Sequence, residues 1–375
     1  MRKICVVITA RASYSRIKTA LSAIQKHPEL ELQLITTGSI LIEKYGLVVD
    51  QIEKDGFRIT ARLFNQVEGN TPLVSVKTTG LAMIELATIF DLIKPDAVIT
   101  IADRYETMAT AAAASFMNIP LVHIQGGEVS GNIDDKVRNA ITQLADIHFV
   151  ASENAKAQVC RMQTRSDNVY NTGCPSVDIA SNVQKNPEMD FDPFLLYGGV
   201  GPTLDYKNGY LVVMQHPVTT EYSSSQSQIE STMKAIENVG IPTFWFWPNQ
   251  DPGTEGIAKG LRISREIDSS KPIHFFKNME PEHFQKLLKN ALCLVGNSSV
   301  GIRECSYMGV PVVNIGNRQK GRERGQNVID TAQDSLAIED AIRFQITHGH
   351  YNPDLIYGDG NSGDKIASLL STIDF

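Results

Sequence analysis

One pattern constrains this chain more than any other: short β-branched runs alternate with stretches of helix length. The runs Lys3–Thr9, Leu32–Thr36, Ala97–Ile101, Leu121–Ile124 and Ile147–Ala151 are separated by Ser15–Lys26, about Leu73–Ile93, Glu106–Met117 and Lys136–Ala145. Buried strands separated by helices of about ten or more residues form βαβ units on a parallel sheet. A helix over Glu153–Met162 and a strand over Val169–Asn171 complete this first series. Between Asn186 and Asn208 the period breaks at Pro187, Pro193, Gly198, Gly199, Gly201 and Pro202, which marks a domain boundary. A second series follows: strand Tyr210–Gln215, helix Gln228–Asn238, strand Thr243–Phe246, helix Gly256–Arg265, strand Ile273–Phe276, helix Glu282–Asn290, and strands Leu292–Val295 and Val312–Ile315. The expected fold is α/β, with two doubly wound, Rossmann-like domains and a cleft between them. A length of 375 residues suits two domains of ordinary size. The expected divisions are 1–185, 186–360 and a terminal segment, 361–375, with a helix over Asn361–Ile373.

Composition removes several classes of function. Net charge is −7 with the signs interspersed, so no basic face for nucleic acid is present. No run approaches the roughly 18 apolar residues of a membrane span, and the first residues lead straight into a strand. The expectation is a soluble cytoplasmic protein with no membrane partner. The five cysteines lack C-x-x-C spacing and read as reduced packing residues. There is no G-x-G-x-x-G after the first strand, no G-x-x-x-x-G-K-[ST], and no His or Cys pair at metal spacing. Hydride transfer with a dinucleotide and P-loop phosphoryl transfer are therefore unsupported, and neither cofactor nor metal is expected.

Ligands of parallel sheets gather at the carboxyl ends of the strands, so the polar residues that follow apolar runs are the candidates. In the first series these are Arg11, Asp103-Arg104, and the loop Gly126-Gly127-Glu128 with Asp134-Asp135 six residues on. Each carboxylate taken alone is more economically a cap or a solvated charge. Convergence of Asp103, Glu128 and the Asp134/Asp135 pair at one rim would instead push their pKa values apart, as an acid and a base require. In the second series Gln215-His216-Pro217 ends a strand with an imidazole suited to a phosphate or a proton, Asn249 ends the next strand, and Phe276 offers a wall or backbone contact for a base. The stretch Gly296-Asn297-Ser298-Ser299-Val300-Gly301-Ile302-Arg303-Glu304 reads as a strand opening into a helix over Ile302–Met308. Such a start presents free N–H groups to a phosphate, with Glu304 one turn further in for a ribose; the alternative is an ordinary serine cap. Four cations follow in Asn317–Arg324, either a solvated face or guanidinium groups for a diphosphate.

Taken together these blocks resemble the hydrolysing UDP-N-acetylglucosamine 2-epimerases of bacterial sialic-acid synthesis and of the animal bifunctional epimerase/kinase. The likeness is carried by Arg11–Ser15, Asp103–Glu106, Gly126–Asp135, Gln215–Thr220, Gly296–Glu304 and Asn317–Glu323, and it runs on to Ile356–Asn361. The resemblance implies a GT-B fold whose C-terminal helix crosses back to the N-terminal domain. It implies loss of UDP with removal of the C2 proton, a glycal, and hydration to free N-acetylmannosamine. By matching motif, Asp103, Glu128 and Asp134 become acid/base groups, and His216 a diphosphate contact or proton donor. Arg11, Ser15, Arg104, Ser298, Ser299 and Arg318 become phosphate contacts, and Glu304 the ribose anchor. Ser13 and Gln125 depart from the family's pattern, and Gln125 cannot exchange a proton at neutral pH. A UDP-sugar substrate and a homodimer are implied. In animal members CMP-sialic acid inhibits through a region matching Gly253–Arg262, where this chain has Lys259 and Arg262, more economically an exposed basic helix end. The rival readings are a non-hydrolysing epimerase, an epimerase for another UDP- or GDP-linked amino sugar, a GT-B glycosyltransferase and a nucleotide-sugar sensor without turnover.

Overall fold

The computed structural model describes residues 1–43, 47–69, 71–130, 133–162, 167–248, 253–268 and 270–375. The chain divides into two units, one made of Met1–Val129, Ile133–Ile179 and Ile356–Phe375, the other built on Ala180–Leu355.

The first unit carries strands β1 (Arg2–Ile8), β2 (Leu30–Thr37), β3 (Ile59–Leu63), β4 (Ala97–Ile101), β5 (Leu121–Ile124), β6 (Ile147–Val150) and β7 (Val169–Asn171). They form one sheet in the order β3-β2-β1-β4-β5-β6-β7, and every pairing is parallel. Its helices are α1 (Arg11–Lys26), α2 (Val48–Lys54), α3 (Pro72–Ile93), α4 (Thr107–Phe116), α5 (Ile133–Leu144) and α6 (Glu153–Met162), and the division between the units falls within α7 (Pro175–Lys185). The central strands are buried on both faces, which is why they read as continuous apolar runs. Strands β4 and β5 keep the bounds expected from sequence. The edge strand β3 and the short α2 carried no sequence expectation: Ile-Thr-Ala-Arg-Leu mixes exposed and half-buried positions and lacks an apolar signature.

In the second unit α8 (Pro193–Tyr197), α9 (Ser225–Val239), α10 (Thr254–Ile267), α11 (Pro281–Lys289), α12 (Glu304–Met308) and α13 (Ser335–His348) accompany β8 (Leu211–Met214), β9 (Thr243–Phe246), β10 (Ile273–Phe276), β11 (Cys293–Gly296), β12 (Val312–Ile315) and β13 (Val328–Thr331). The sheet order is β10-β9-β8-β11-β12-β13, again all parallel. Edge strand β13 and helix α13 had no counterpart in the sequence reading. Helix α14 (Ser362–Thr372) belongs to the first unit and packs on α1, where Ile366 and Leu370 join the core around Ile4, Ile17 and Leu21.

Two expectations need correction. Helix α3 is long and apolar enough, by length and composition, to cross a bilayer, although Lys77, Glu85 and Asp91 interrupt its apolar sequence. The chain also enters a helix after β11 later than the sequence suggests. Residues 299–303 are successive turns, and α12 begins at Glu304 with only five residues. All five cysteines are free thiols, four of them buried.

Candidate functional site

Both sheets reverse winding direction beside their first strand, between β1 and β4 in one unit and between β8 and β11 in the other. At such switch points the loops diverge and leave room for a ligand.

In the first unit two non-glycine residues in the left-handed region end neighbouring strands, Ala102 (φ 65°) after β4 and Gln125 (φ 66°) after β5. Each costs about 1–2 kcal/mol. Both are pinned: the Ala102 N–H donates to the Ile124 carbonyl and the Gln125 N–H to the Phe149 carbonyl, each at 2.9 Å. His123 adds a third restraint. Its Nε2–H donates to the Ala102 carbonyl at 2.9 Å, which leaves Nδ1 to accept from the Thr142 hydroxyl at 3.1 Å. Burial pushes this imidazole down to about 3, so it stays neutral. The sharp turn delivers Asp103.

Asp103, Glu128 and Asp135 meet at one residue absent from the sequence candidates, Arg138 on α5. Its guanidinium is 1% exposed. Nη2 donates to Asp103, and Nη1 donates to the Glu128 carbonyl and to Asp135. Burial alone would lower the pKa of Arg138; the charges of Asp103, Glu128 and Asp135 reverse that and raise it. Arg16 stands 3.9 Å from the other Asp103 oxygen. Helix α5 starts at Ile133 and not at Lys136, so Asp134 and Asp135 lie in its first turn, where carboxylates are favoured by the helix dipole.

The Gly126-Gly127 pair is a packing requirement. Gly127 has φ 80°, and a Cβ there would come 2.3 Å from the Ala155 carbonyl of α6. Arg11 and Ser15 stand in the first turns of α1, which begins four residues earlier than expected. The Ser15 hydroxyl bonds back to the Ala12 carbonyl at 3.2 Å. Burial and the neighbouring charge of Arg104 bring Arg11 down to about 10. Arg104 itself pairs with the buried Glu106 through two bonds, 3.1 and 2.8 Å. The Gln125 amide donates to Cys174 Sγ at 2.9 Å.

In the second unit Asn297 is the node. Its side chain accepts from the His216 N–H at 2.7 Å and donates to the His216 carbonyl at 2.8 Å, stitching the end of β8 to the end of β11. Arg318 Nη1 and Gln319 Nε2 donate to the Asn297 carbonyl at 3.2 and 2.8 Å. Gly296 makes the approach possible: a Cβ would stand 2.1 Å from the Met214 carbonyl, and φ is 139°. Ser299 and Glu304 are buried close by along the chain, and His216 is 4% exposed. Ser298 and Ser299 precede the short α12 by a run of turns, so the helix start expected at Ile302 lies two residues further on, at Glu304.

The cationic run divides. Lys320 is exposed, Arg322 is buried, and Arg324 pairs with Asp330 while donating to the Arg322 and Gln319 carbonyls. The ring of Phe276 is fully buried against Phe194, Phe244, Phe246 and His274, which leaves its backbone as the part suited to a base contact. Asn249 lies outside the described residues. Arg262 is exposed and bonds back to the Ala258 carbonyl at 3.2 Å, as a basic helix end does. Among the described residues no group of His, Cys, Asp and Glu is arranged to hold a metal ion.

Two parallel-sheet, Rossmann-like units with polar residues collected at each switch point define the GT-B class. Within it the chain belongs to the UDP-N-acetylglucosamine 2-epimerase family, whose sequence pattern matches residues 22–371. It is 33% identical over 374 residues to a UDP-N-acetylglucosamine 2-epimerase of Neisseria meningitidis serogroup B, covering 99% of this chain and 95% of that protein. It is 30% identical to a hydrolysing UDP-N,N'-diacetylbacillosamine 2-epimerase of Legionella pneumophila, over 100% of this chain and 96% of that one. Its fold matches the UDP-GlcNAc 2-epimerase of Methanocaldococcus jannaschii, solved with UDP-GlcNAc and UDP, with a TM-score of 0.79 at 19% identity, covering 98% of this chain and 99% of that one.

Proposed function

We propose that this chain is a hydrolysing 2-epimerase that converts UDP-N-acetylglucosamine and water to N-acetylmannosamine and UDP, supplying a sialic-acid or related nonulosonate route in the cytoplasm. The gathering of Asp103, Asp135 and the Glu128 carbonyl at Arg138, with Asp134 beside Asp135 in the first turn of α5, supports this reading. A C2–H beside an acetamido group is a weak acid, so departure of the diphosphate leads and a positioned carboxylate takes the proton as the C1–O bond breaks. The resulting glycal gains a proton from solvent at C2 and hydroxide at C1, giving the free sugar.

Asp103, Glu128 and Asp134 are the acid/base groups, and Arg138 keeps Asp103 ionised and aimed. His216, Ser298, Ser299 and Arg318 take the diphosphate and Glu304 the ribose; Arg11, Ser15 and Arg104 are phosphate contacts. Hydrolysis is favoured over the non-hydrolysing reaction by the likeness to the Legionella protein across the full chain. That same likeness supports one alternative substrate, UDP-N,N'-diacetylbacillosamine, carried through the same chemistry.

The test is a set of single variants with two readouts. Asp103→Asn, Glu128→Gln and Asp134→Asn should each slow C2 exchange by about 100-fold or more while UDP binding by calorimetry stays within a few-fold of the parent. Glu304→Ala should show the reverse, weaker UDP with little change in the bound chemical step. Full activity in all three amide variants would remove the assignment.

A further inference from the structure

The cations that follow β12 sit on a loop without helix or strand. Gly316 and Gly321 both take left-handed backbone, with φ 73° and 84°. Between and beyond them the chain runs through turns, the Lys320 N–H donating to the Asn317 carbonyl at 2.9 Å and the Arg322 N–H to the Gln319 carbonyl at 3.2 Å. Such a loop places a long side chain only as well as its own backbone is placed. This one is tethered at both ends. At its start Asn317 Nδ2 donates to Glu221 at 2.7 Å, and Glu221 also accepts from Gln228 at 2.8 Å, which ties the turn to the segment that follows β8. At its far end Arg324 folds back over the loop. Nε donates to the Arg322 carbonyl at 3.1 Å, Nη2 donates to the Gln319 carbonyl, and Nη1 pairs with Asp330 on β13. Asp330 is itself fixed by the Asn314 amide of β12 at 2.7 Å.

We propose that Arg324 is a positioning residue for the diphosphate: anchored on Asp330, it fixes the turn that carries Arg318 and so sets the plane of the Arg318 guanidinium, an inference that rests on the reading of Arg318 as a phosphate contact. The carbonyl that Arg324 holds belongs to Gln319, whose amide donates to the Asn297 carbonyl at 2.8 Å, and Arg318 Nη1 donates to that same oxygen at 3.2 Å. Asn297 in turn holds both backbone groups of His216. One run of contacts therefore leads from β13 through the loop to Arg318 and His216, both assigned to the diphosphate. A bidentate phosphate contact needs a guanidinium whose plane is fixed, and one nitrogen on a carbonyl fixes it only if the backbone behind it is also held. The ion pair with Asp330 is the lesser part of the clamp. The Asp330 side chain is 57% exposed, and an exposed pair contributes little by itself. The two carbonyl contacts hold the loop, and the pair aims the guanidinium that makes them.

Binding of UDP by calorimetry and of uridine by ligand-observed NMR separates positioning from folding. Arg324→Met should weaken UDP by about 10-fold and leave uridine, which has no phosphate, unchanged. Arg324→Lys should recover part of the loss, because an ammonium cannot reproduce a fork that meets two carbonyls and a carboxylate together. Arg318→Met should itself weaken UDP, and in that background Arg324→Met should add no further loss, because its effect passes through Arg318. Equal weakening of UDP and uridine, additive losses in the double variant, or UDP binding unchanged in Arg324→Met would each overturn the proposal. If Arg318→Met bound UDP as the parent does, the phosphate assignment of Arg318 would fall and the clamp with it; if Arg318→Met weakened UDP and Arg324→Met did not, the clamp alone would fall.

Discussion

Arg138 joins three acidic residues that come from separate elements, and its removal should be felt twice. A buried ion pair that loses one member leaves an uncompensated charge, which costs about 3–5 kcal/mol. Arg138→Met should therefore lower the unfolding free energy by about 3 kcal/mol in urea titration. It should also move the acid limb of kcat/KM to higher pH, since Asp103 loses the cation that favours its ionised form. Arg138→Lys should recover part of the stability, because one ammonium cannot reproduce the fork that meets Asp103, Asp135 and the Glu128 carbonyl together. Arg138 was invisible in the sequence for a plain physical reason. An arginine on an amphipathic helix ordinarily belongs to the solvated face, and Asp103 lies 35 residues away. Asn297 was missed likewise: its amide acts by joining β8 to β11 across 81 residues, and no local pattern announces that. The strand-end acids were legible because an apolar run followed by a carboxylate is a local signal.

Among the elements, the buried strands β4, β5, β9, β10 and β12 were read to the residue, and β6, β8 and β11 to within one residue at each end. Strands β3 and β13 were missed because edge strands alternate and carry polar residues. Helix starts were misplaced where the first turn is polar: Arg11-Ala12-Ser13 and Ile133-Asp134-Asp135 look like loop and fold as helix. The C-terminal helix shows how a single acid can seat an element. Asp178 on α7 accepts from the Ser362 and Gly363 N–H groups, each at 2.8 Å, and from the Thr19 hydroxyl at 2.8 Å. Asp178 thus caps α14 and ties it to α1. Asp178→Asn keeps one acceptor oxygen and turns a donor toward an N–H. It should weaken the docking of α14 by about 1–3 kcal/mol, and amide exchange over Ile366–Leu370 should accelerate by about 10-fold or more while the β4 amides stay protected. Equal acceleration in both segments would mean that α14 is not a separable element.

At the scale of the molecule, acid sensitivity follows from two paired strands. His123 on β5 and His148 on β6 are register neighbours, both buried, and burial pushes them down to about 3 and about 4. The folded chain keeps both imidazoles neutral, whereas the unfolded chain protonates them near the ordinary histidine value. Their contribution is therefore complete above about pH 6.5 and is lost as the pH falls from there toward about 4. Two protons taken up only on unfolding give a slope of at most about 2.7 kcal/mol per pH unit. Denaturation midpoints measured from pH 7 to pH 4 should fall accordingly, and His148→Leu should roughly halve the slope; a flat profile would show that the two histidines charge inside the fold.

The central claim is that Asp103, Glu128 and Asp134 remove and replace the C2 proton of a sugar whose UDP has left. Proton NMR of the chain with UDP-N-acetylglucosamine in D2O follows that proton directly. The account predicts free N-acetylmannosamine carrying deuterium at C2, with UDP released in equal amount. UDP-N-acetylmannosamine as the accumulating product, turnover only with an added acceptor, or UDP binding with no change in the sugar would contradict it.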